Sequence, residues 1–62
     1  MSKSILILGA GESGVGAAKL ALALGDIPYV SEGGQGKAHF IGELDLAGVQ
    51  YETGGHTPEN WP

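Results

Sequence analysis

Three stretches of this sequence carry residue types suited to binding chemistry. The first, Gly9-Ala10-Gly11-Glu12-Ser13-Gly14, has the spacing G-x-G-x-x-G. It follows an apolar run and opens a helical pattern within a unit of roughly 30 residues, the context in which such a turn cradles a diphosphate. Gly9 permits the tight turn, Gly11 leaves the backbone open to a phosphate, and Gly14 lets the helix lie close to the strand. Free N–H groups and the positive end of the helix dipole then face the anion. The same turn would also serve packing alone. Ser13 suits a phosphate oxygen as a hydroxyl donor, or the helix as an N-cap. Glu12 is unfavourable beside a diphosphate unless its side chain faces solvent or meets a cation.

The second stretch is Ser31-Glu32-Gly33-Gly34. Glu32 stands 21 residues after Gly11, where an acid at the end of a second strand meets a ribose or a base edge. The alternative is a solvated loop carboxylate. No Lys or Arg follows it directly to receive a 2′-phosphate, which disfavours NADP. The third stretch is Gly55-His56, after a third strand pattern. His56 would bond a ligand or cap the following turn. No nucleophile–base pair and no pair of catalytic acids can be assembled, so no catalytic residue is assigned. His39 and His56 are too few and too far apart for a structural metal, and cysteine is absent.

The elements that must position these residues follow from the hydrophobic pattern. Residues 4–8 form a continuous apolar run that fits a strand buried on both faces. From about Ser13 to Leu24 the pattern is helical, with Val15, Ala18 and Leu22 on one face and Ala21 and Leu24 beside it. Gly25 is the stop. Pro28-Tyr29-Val30-Ser31 reads as a second strand, with proline at its first residue. Lys37 to Ala47 reads as a second helix with the stripe Phe40, Ile41, Leu44 and Ala47; Leu46 falls off it, and Gly48 ends it. His39 lies beside the stripe, at the surface. Val49 to Glu52 alternates as a third strand. Thr57-Pro58-Glu59 has the look of a helix start, with Thr as N-cap and Pro at N1. A helix start with little behind it, at Trp61-Pro62, suggests truncation, with Trp61 belonging to a core completed elsewhere. The order βαβαβ with short connections predicts an α/β fold: a Rossmann-like parallel sheet of three strands with right-handed crossovers.

Composition narrows the classes. A chain of 62 residues holds at most one small domain and is marginal by itself. A net charge of −4, with only Lys3, Lys19 and Lys37 as basic residues, does not suit a nucleic-acid binder. No apolar run approaches a membrane span or the core of a signal peptide, so a cytoplasmic location is expected. Open sheet edges make self-association of such a fragment an expectation too.

Residues 5–18, together with Val30-Ser31-Glu32 and Glu52-Thr53-Gly54-Gly55-His56-Thr57, resemble in the same order the start of the UDP-N-acetylmuramoyl-L-alanine:D-glutamate ligases, the MurD family of Mur ligases. The resemblance covers nearly the whole chain. Its glycine turn is shared with many dehydrogenases; its combination with the Gly-Gly-His-Thr loop is the specific part. It implies that residues 1–62 are a partial N-terminal Rossmann-like domain that binds the UDP of UDP-N-acetylmuramoyl-L-alanine. It also implies a cytoplasmic ligase of peptidoglycan synthesis, and so of cell wall biogenesis, cell shape and cell division. In that family ATP phosphorylates the substrate carboxylate, D-glutamate attacks the acyl phosphate, and ADP and phosphate leave. Carried onto this sequence, Gly11, Glu12, Ser13 and Gly14 would meet the diphosphate. Ser31, Glu32, Gly33, Gly55 and His56 would surround the uridine.

Two departures stand out. Family members often carry larger polar or basic residues where this chain has Gly33 and Gly34. The ATP loop, the Mg2+ ligands and the D-glutamate residues belong to central and C-terminal domains absent from these 62 residues, so the segment alone is expected to be inactive and to bind no cofactor. The alternative is an NAD(P)- or FAD-binding Rossmann fragment of an oxidoreductase, supported by the same turn and Glu32.

Overall fold

The computed structural model describes residues 2–62. Strand β1 (Ser4–Leu8), helix α1 (Glu12–Ala23), strand β2 (Ile27–Ser31), helix α2 (Ala38–Ala47) and strand β3 (Gln50–Glu52) follow in order, and a short 3-10 turn covers Pro58–Asn60. The three strands form one parallel sheet in the order β1-β2-β3. This is the expected Rossmann-like α/β arrangement. Element bounds differ from the sequence reading by a residue or two: α1 begins at Glu12, Pro28 is the second residue of β2, and β3 begins at Gln50.

The largest difference concerns β1. A strand buried on both faces was expected; instead Leu6 and Leu8 are exposed while Ile5 and Ile7 are half-buried. The cause is topological. Both crossovers step in the same direction across the sheet, and right-handed crossovers then place both helices on one face. The two helices accordingly touch each other as well as the strands. The register Leu6↔Tyr29↔Gln50 puts these residues together on the other face. Exposed Ile27 belongs to that face as well.

The core lies between the helices and the covered face. Ala10, Val15, Ala18, Val30, Leu44 and Val49 are buried together, with Ile7, Phe40, Ile41, Ala47 and Tyr51 packed against them. The stripe read on α2 is the one that faces inward, and Leu46 points to solvent. On α1 the inward face is Val15, Ala18 and Ala21; Leu22 and Leu24, expected on or beside it, are exposed. Small side chains on α1 permit a short distance between helix and sheet.

That distance is set at Gly14. A Cβ there would lie 1.9 Å from the carbonyl oxygen of Gly9 and 3.5 Å from Ile7 Cγ2. Gly9 itself turns with φ +102°, a conformation that side chains rarely adopt. Gly14→Ala therefore has to push helix and strand apart. It is expected to lower stability by about 1–3 kcal/mol, the usual range for overpacking. Gly16→Ala, where nothing stands within 4 Å, is expected to raise stability by up to about 1 kcal/mol through helix propensity. Thermal unfolding of the two variants side by side checks the contrast.

Candidate functional site at the strand ends

The carboxyl ends of the parallel strands lead into three loops: residues 9–11, 32–37 and 53–57. Ligands of open α/β sheets lie in the crevice outside such ends. Backbone hydrogen bonds lace the loops together. Gly9 N–H donates to the Ser31 carbonyl at 2.8 Å, Glu32 N–H to the Glu52 carbonyl at 2.9 Å, and Gly54 N–H to the Gly34 carbonyl at 2.7 Å. Gly55 N–H reaches the Glu32 carbonyl at 3.3 Å. The three stretches singled out in the sequence thus converge.

At the glycine turn the helix begins with Gly11 as an N-cap that has no side-chain cap, and Val15 N–H makes the first bond of the turn, to the Gly11 carbonyl at 2.9 Å. Among the described residues no backbone or side-chain acceptor takes the N–H groups of Glu12, Ser13 or Gly14, the donors that a helix start leaves free. Ser13 lies inside the first turn of α1, so it does not serve as the N-cap. Above Gly11 the space is open, with no protein atom within 4 Å of where a Cβ would stand. The protein's own packing therefore does not explain this glycine.

A crevice of about 370 Å³ opens here, lined by Ala10, Gly11, Glu32, Gly36, Lys37 and Phe40. Lys37 brings a cation to the same hollow as the glycine turn. The sequence offered it only as the start of a helix. Glu12 lines a different groove of about 430 Å³, between the helices, shared with Lys19, His39 and Glu43. This placement removes the expected conflict between Glu12 and an anion in the crevice. His39 is exposed, as expected.

Glu32 is not a solvated loop carboxylate. Its Oε1 accepts the Ala10 N–H at 2.7 Å and its Oε2 accepts the Gly34 N–H at 2.8 Å. These bonds, the Ala10 one foremost, hold its carboxyl below the usual carboxylate range because they favour the charged form. Glu32 ties the second loop to the glycine turn and shapes the crevice wall.

Ser31 and His56 belong to a second network that the sequence did not reveal. Ser31 is fully buried. Its Oγ lies 2.6 Å from Glu52 Oε2 and 2.6 Å from His56 Nδ1. Glu52 Oε2 also accepts the Thr57 N–H at 3.0 Å and the Trp61 Nε1–H at 2.6 Å. The Ser31 hydroxyl above all, then the Thr57 N–H, bring the Glu52 carboxyl down to about 2. Trp61, half-buried, is thus bonded to this strand end. His56 is exposed, and its Nε2 lies 3.1 Å from the point where a Gly33 Cβ would stand. Among the described residues no group of His, Cys, Asp and Glu is arranged to hold a metal ion. None of their helices is long and apolar enough to cross a membrane.

The chain is 49% identical over 59 residues to the UDP-N-acetylmuramoylalanine–D-glutamate ligase of Cytophaga hutchinsonii, covering 95% of this chain and 13% of the relative. The chain is similar to a short segment of that ligase. The ligase of the same name from Porphyromonas gingivalis is 49% identical over 53 residues, covering 86% of this chain and 12% of the relative. That of Bacteroides fragilis is 46% identical over 57 residues, covering 92% and 13%. The chain spans about an eighth of the length of the curated relatives it matches. No family model matches it, and no solved structure does.

The Glu52 network has a pH signature. Its folded-state value of about 2 lies below the ordinary 4.5. The stability it contributes is present above about pH 4.5 and is lost as pH falls toward 2. Acid unfolding of the wild type is expected to steepen across that window, and Glu52→Gln should flatten the slope there. Thermal midpoints measured from pH 6 to pH 2 check this.

Proposed function

We propose that this segment is the UDP-binding part of a UDP-N-acetylmuramoyl-L-alanine:D-glutamate ligase, as a partial N-terminal domain of a cytoplasmic Mur ligase. What carries the reading is the open anion site: unclaimed N–H groups at Glu12, Ser13 and Gly14, open space over Gly11, and Lys37 on the same crevice. The names of the relatives support the choice of a uridine diphosphate conjugate among nucleotides.

In this reading the diphosphate sits against Gly11 to Gly14, where helix-start N–H groups and the dipole favour negative charge. Lys37 supplies a point charge to the phosphates. The uridine lies toward Glu32, Gly33, Gly55 and His56. Ser31 acts from beneath through its bonds, because its hydroxyl is buried and engaged. ATP and Mg2+, which the full ligase would require, are assigned in this reading to the rest of the protein. The segment's part is to anchor the nucleotide end of a substrate whose reacting carboxylate lies in the rest of the protein, and it has no activity by itself.

Titration of UDP-N-acetylmuramoyl-L-alanine into the full-length protein is expected to show saturable binding, with ADP release that depends on D-glutamate. Absence of both, or saturable NADH binding in their place, would overturn the reading in favour of a dinucleotide oxidoreductase. Lys37→Ala is expected to weaken binding of the UDP conjugate roughly three- to tenfold and to reduce its salt dependence, as loss of one charge-assisted contact should.

A further inference from the structure

The N–H groups of the glycine turn fall into two sets. Gly9 N–H donates to the Ser31 carbonyl at 2.8 Å, and Ala10 N–H donates to Glu32 Oε1 at 2.7 Å. Two consecutive donors are thus spent on two consecutive residues at the end of β2. From Gly11 to Gly14, no acceptor among the described residues takes an N–H. The boundary between the fixed and the open donors falls after Ala10. That residue is held on two sides: its methyl is buried in the core and its N–H is held by the carboxylate. Gly11 has no such packing, with no protein atom within 4 Å of where a Cβ would stand.

Glu32 is a two-point hold, because its Oε2 accepts the Gly34 N–H at 2.8 Å. It lines the same crevice as Lys37, yet the ion pair among the described residues is that of Lys19 with Glu43. Glu32 therefore binds the turn and leaves Lys37 to an anion. Its charge and its bonds act on that anion in opposite directions. A carboxylate on the crevice wall repels an anion, so its removal alone tightens binding. A carboxylate that fixes the turn keeps the open donors preorganised, so its removal weakens binding. The sign of the change decides which effect wins.

We infer that Glu32 is a positioning residue: through Ala10 N–H it holds the glycine turn in the shape that presents the N–H groups of Gly11 to Gly14, and this raises affinity for a diphosphate more than its charge lowers it. This rests on the reading that a nucleoside diphosphate occupies the crevice. The role acts on the phosphate end of the ligand, whatever group that end carries.

Two variants separate charge from hold. Glu32→Gln keeps the shape and removes the charge; its amide has a single accepting oxygen, which cannot serve Ala10 and Gly34 as two carboxylate oxygens do. Glu32→Asp keeps the charge and shortens the reach by one methylene. In the full-length protein, affinity is measured for UDP directly and for inorganic pyrophosphate by its displacement of UDP. Both ligands are expected to bind roughly tenfold more weakly to each variant, with folding checked by circular dichroism. Tighter pyrophosphate binding by Glu32→Gln overturns the inference, because charge then outweighs the hold. A loss confined to UDP also overturns it, since that marks a direct contact with the nucleoside, and so do unchanged affinities. A wild type that binds no UDP overturns the functional reading, and the affinity claim falls with it. The ligand-free wild type still decides the hold itself: Ala10 N–H is expected to exchange roughly tenfold or more slowly than the exposed Gln35 N–H, and equal rates overturn the inference even if neither variant folds.

Discussion

The closeness of helix α1 to strand β1 at Gly14 is the constraint on which the crevice depends. Where a Cβ would meet the Gly9 carbonyl at 1.9 Å, no other residue leaves the helix start in place. The positive φ of Gly9 belongs to the same solution: the chain leaves the strand, reverses in a few residues and enters the helix with its first N–H groups facing outward. Gly9 N–H, bonded to the Ser31 carbonyl, keeps that turn in register with β2. Displacing the helix would move the free donors, the open space above Gly11 and the wall made by Ala10 together.

Around this fixed point two carboxylates do different work in an acidic chain. Glu32 spends both oxygens on backbone N–H groups, one from the glycine turn and one from its own loop. Glu52 spends Oε2 on Ser31, Thr57 and Trp61. Carboxylates satisfied in this way exert less repulsion on an incoming anion than free ones, because oriented N–H dipoles offset their charge locally. Glu12 avoids the problem by facing the groove between the helices. A net charge of −4 and an anion site are thus compatible: the negative groups near the crevice are bonded inward or turned away, and Lys37 faces it.

Much of this was legible in the sequence, for reasons that are themselves physical. The glycine spacing encodes a local turn, and the stripe Phe40, Ile41, Leu44 and Ala47 encodes a helix face; both need only short-range information. The convergence of Gly11, Glu32 and Gly55 followed from the βαβαβ order. The exposure of Leu6 and Leu8 did not, because an apolar run shows that a strand can be buried and not which faces the crossovers cover. The network of Glu52 was also invisible. Alternation from Val49 to Glu52 marks the acid as one face of a strand, while its partner Ser31 lies 21 residues away on a neighbouring strand. Lys37 was hidden for a similar reason: it reads as a helix start, and only the packing of α2 brings it to the glycine turn.

Trp61 gives this arrangement an optical handle. It is the only tryptophan in the 62 residues, and its indole N–H bonds the same carboxylate oxygen that takes the Ser31 hydroxyl. Indole emission depends on the charge and hydrogen bonding at that nitrogen. The fluorophore is therefore wired to the strand end itself, with its ring and that of His56 in a T-shaped arrangement at a centroid distance of 6.3 Å. Occupancy of the crevice, protonation of Glu52 and loosening of the third loop all reach this one ring, which makes the segment a built-in spectroscopic reporter without any label.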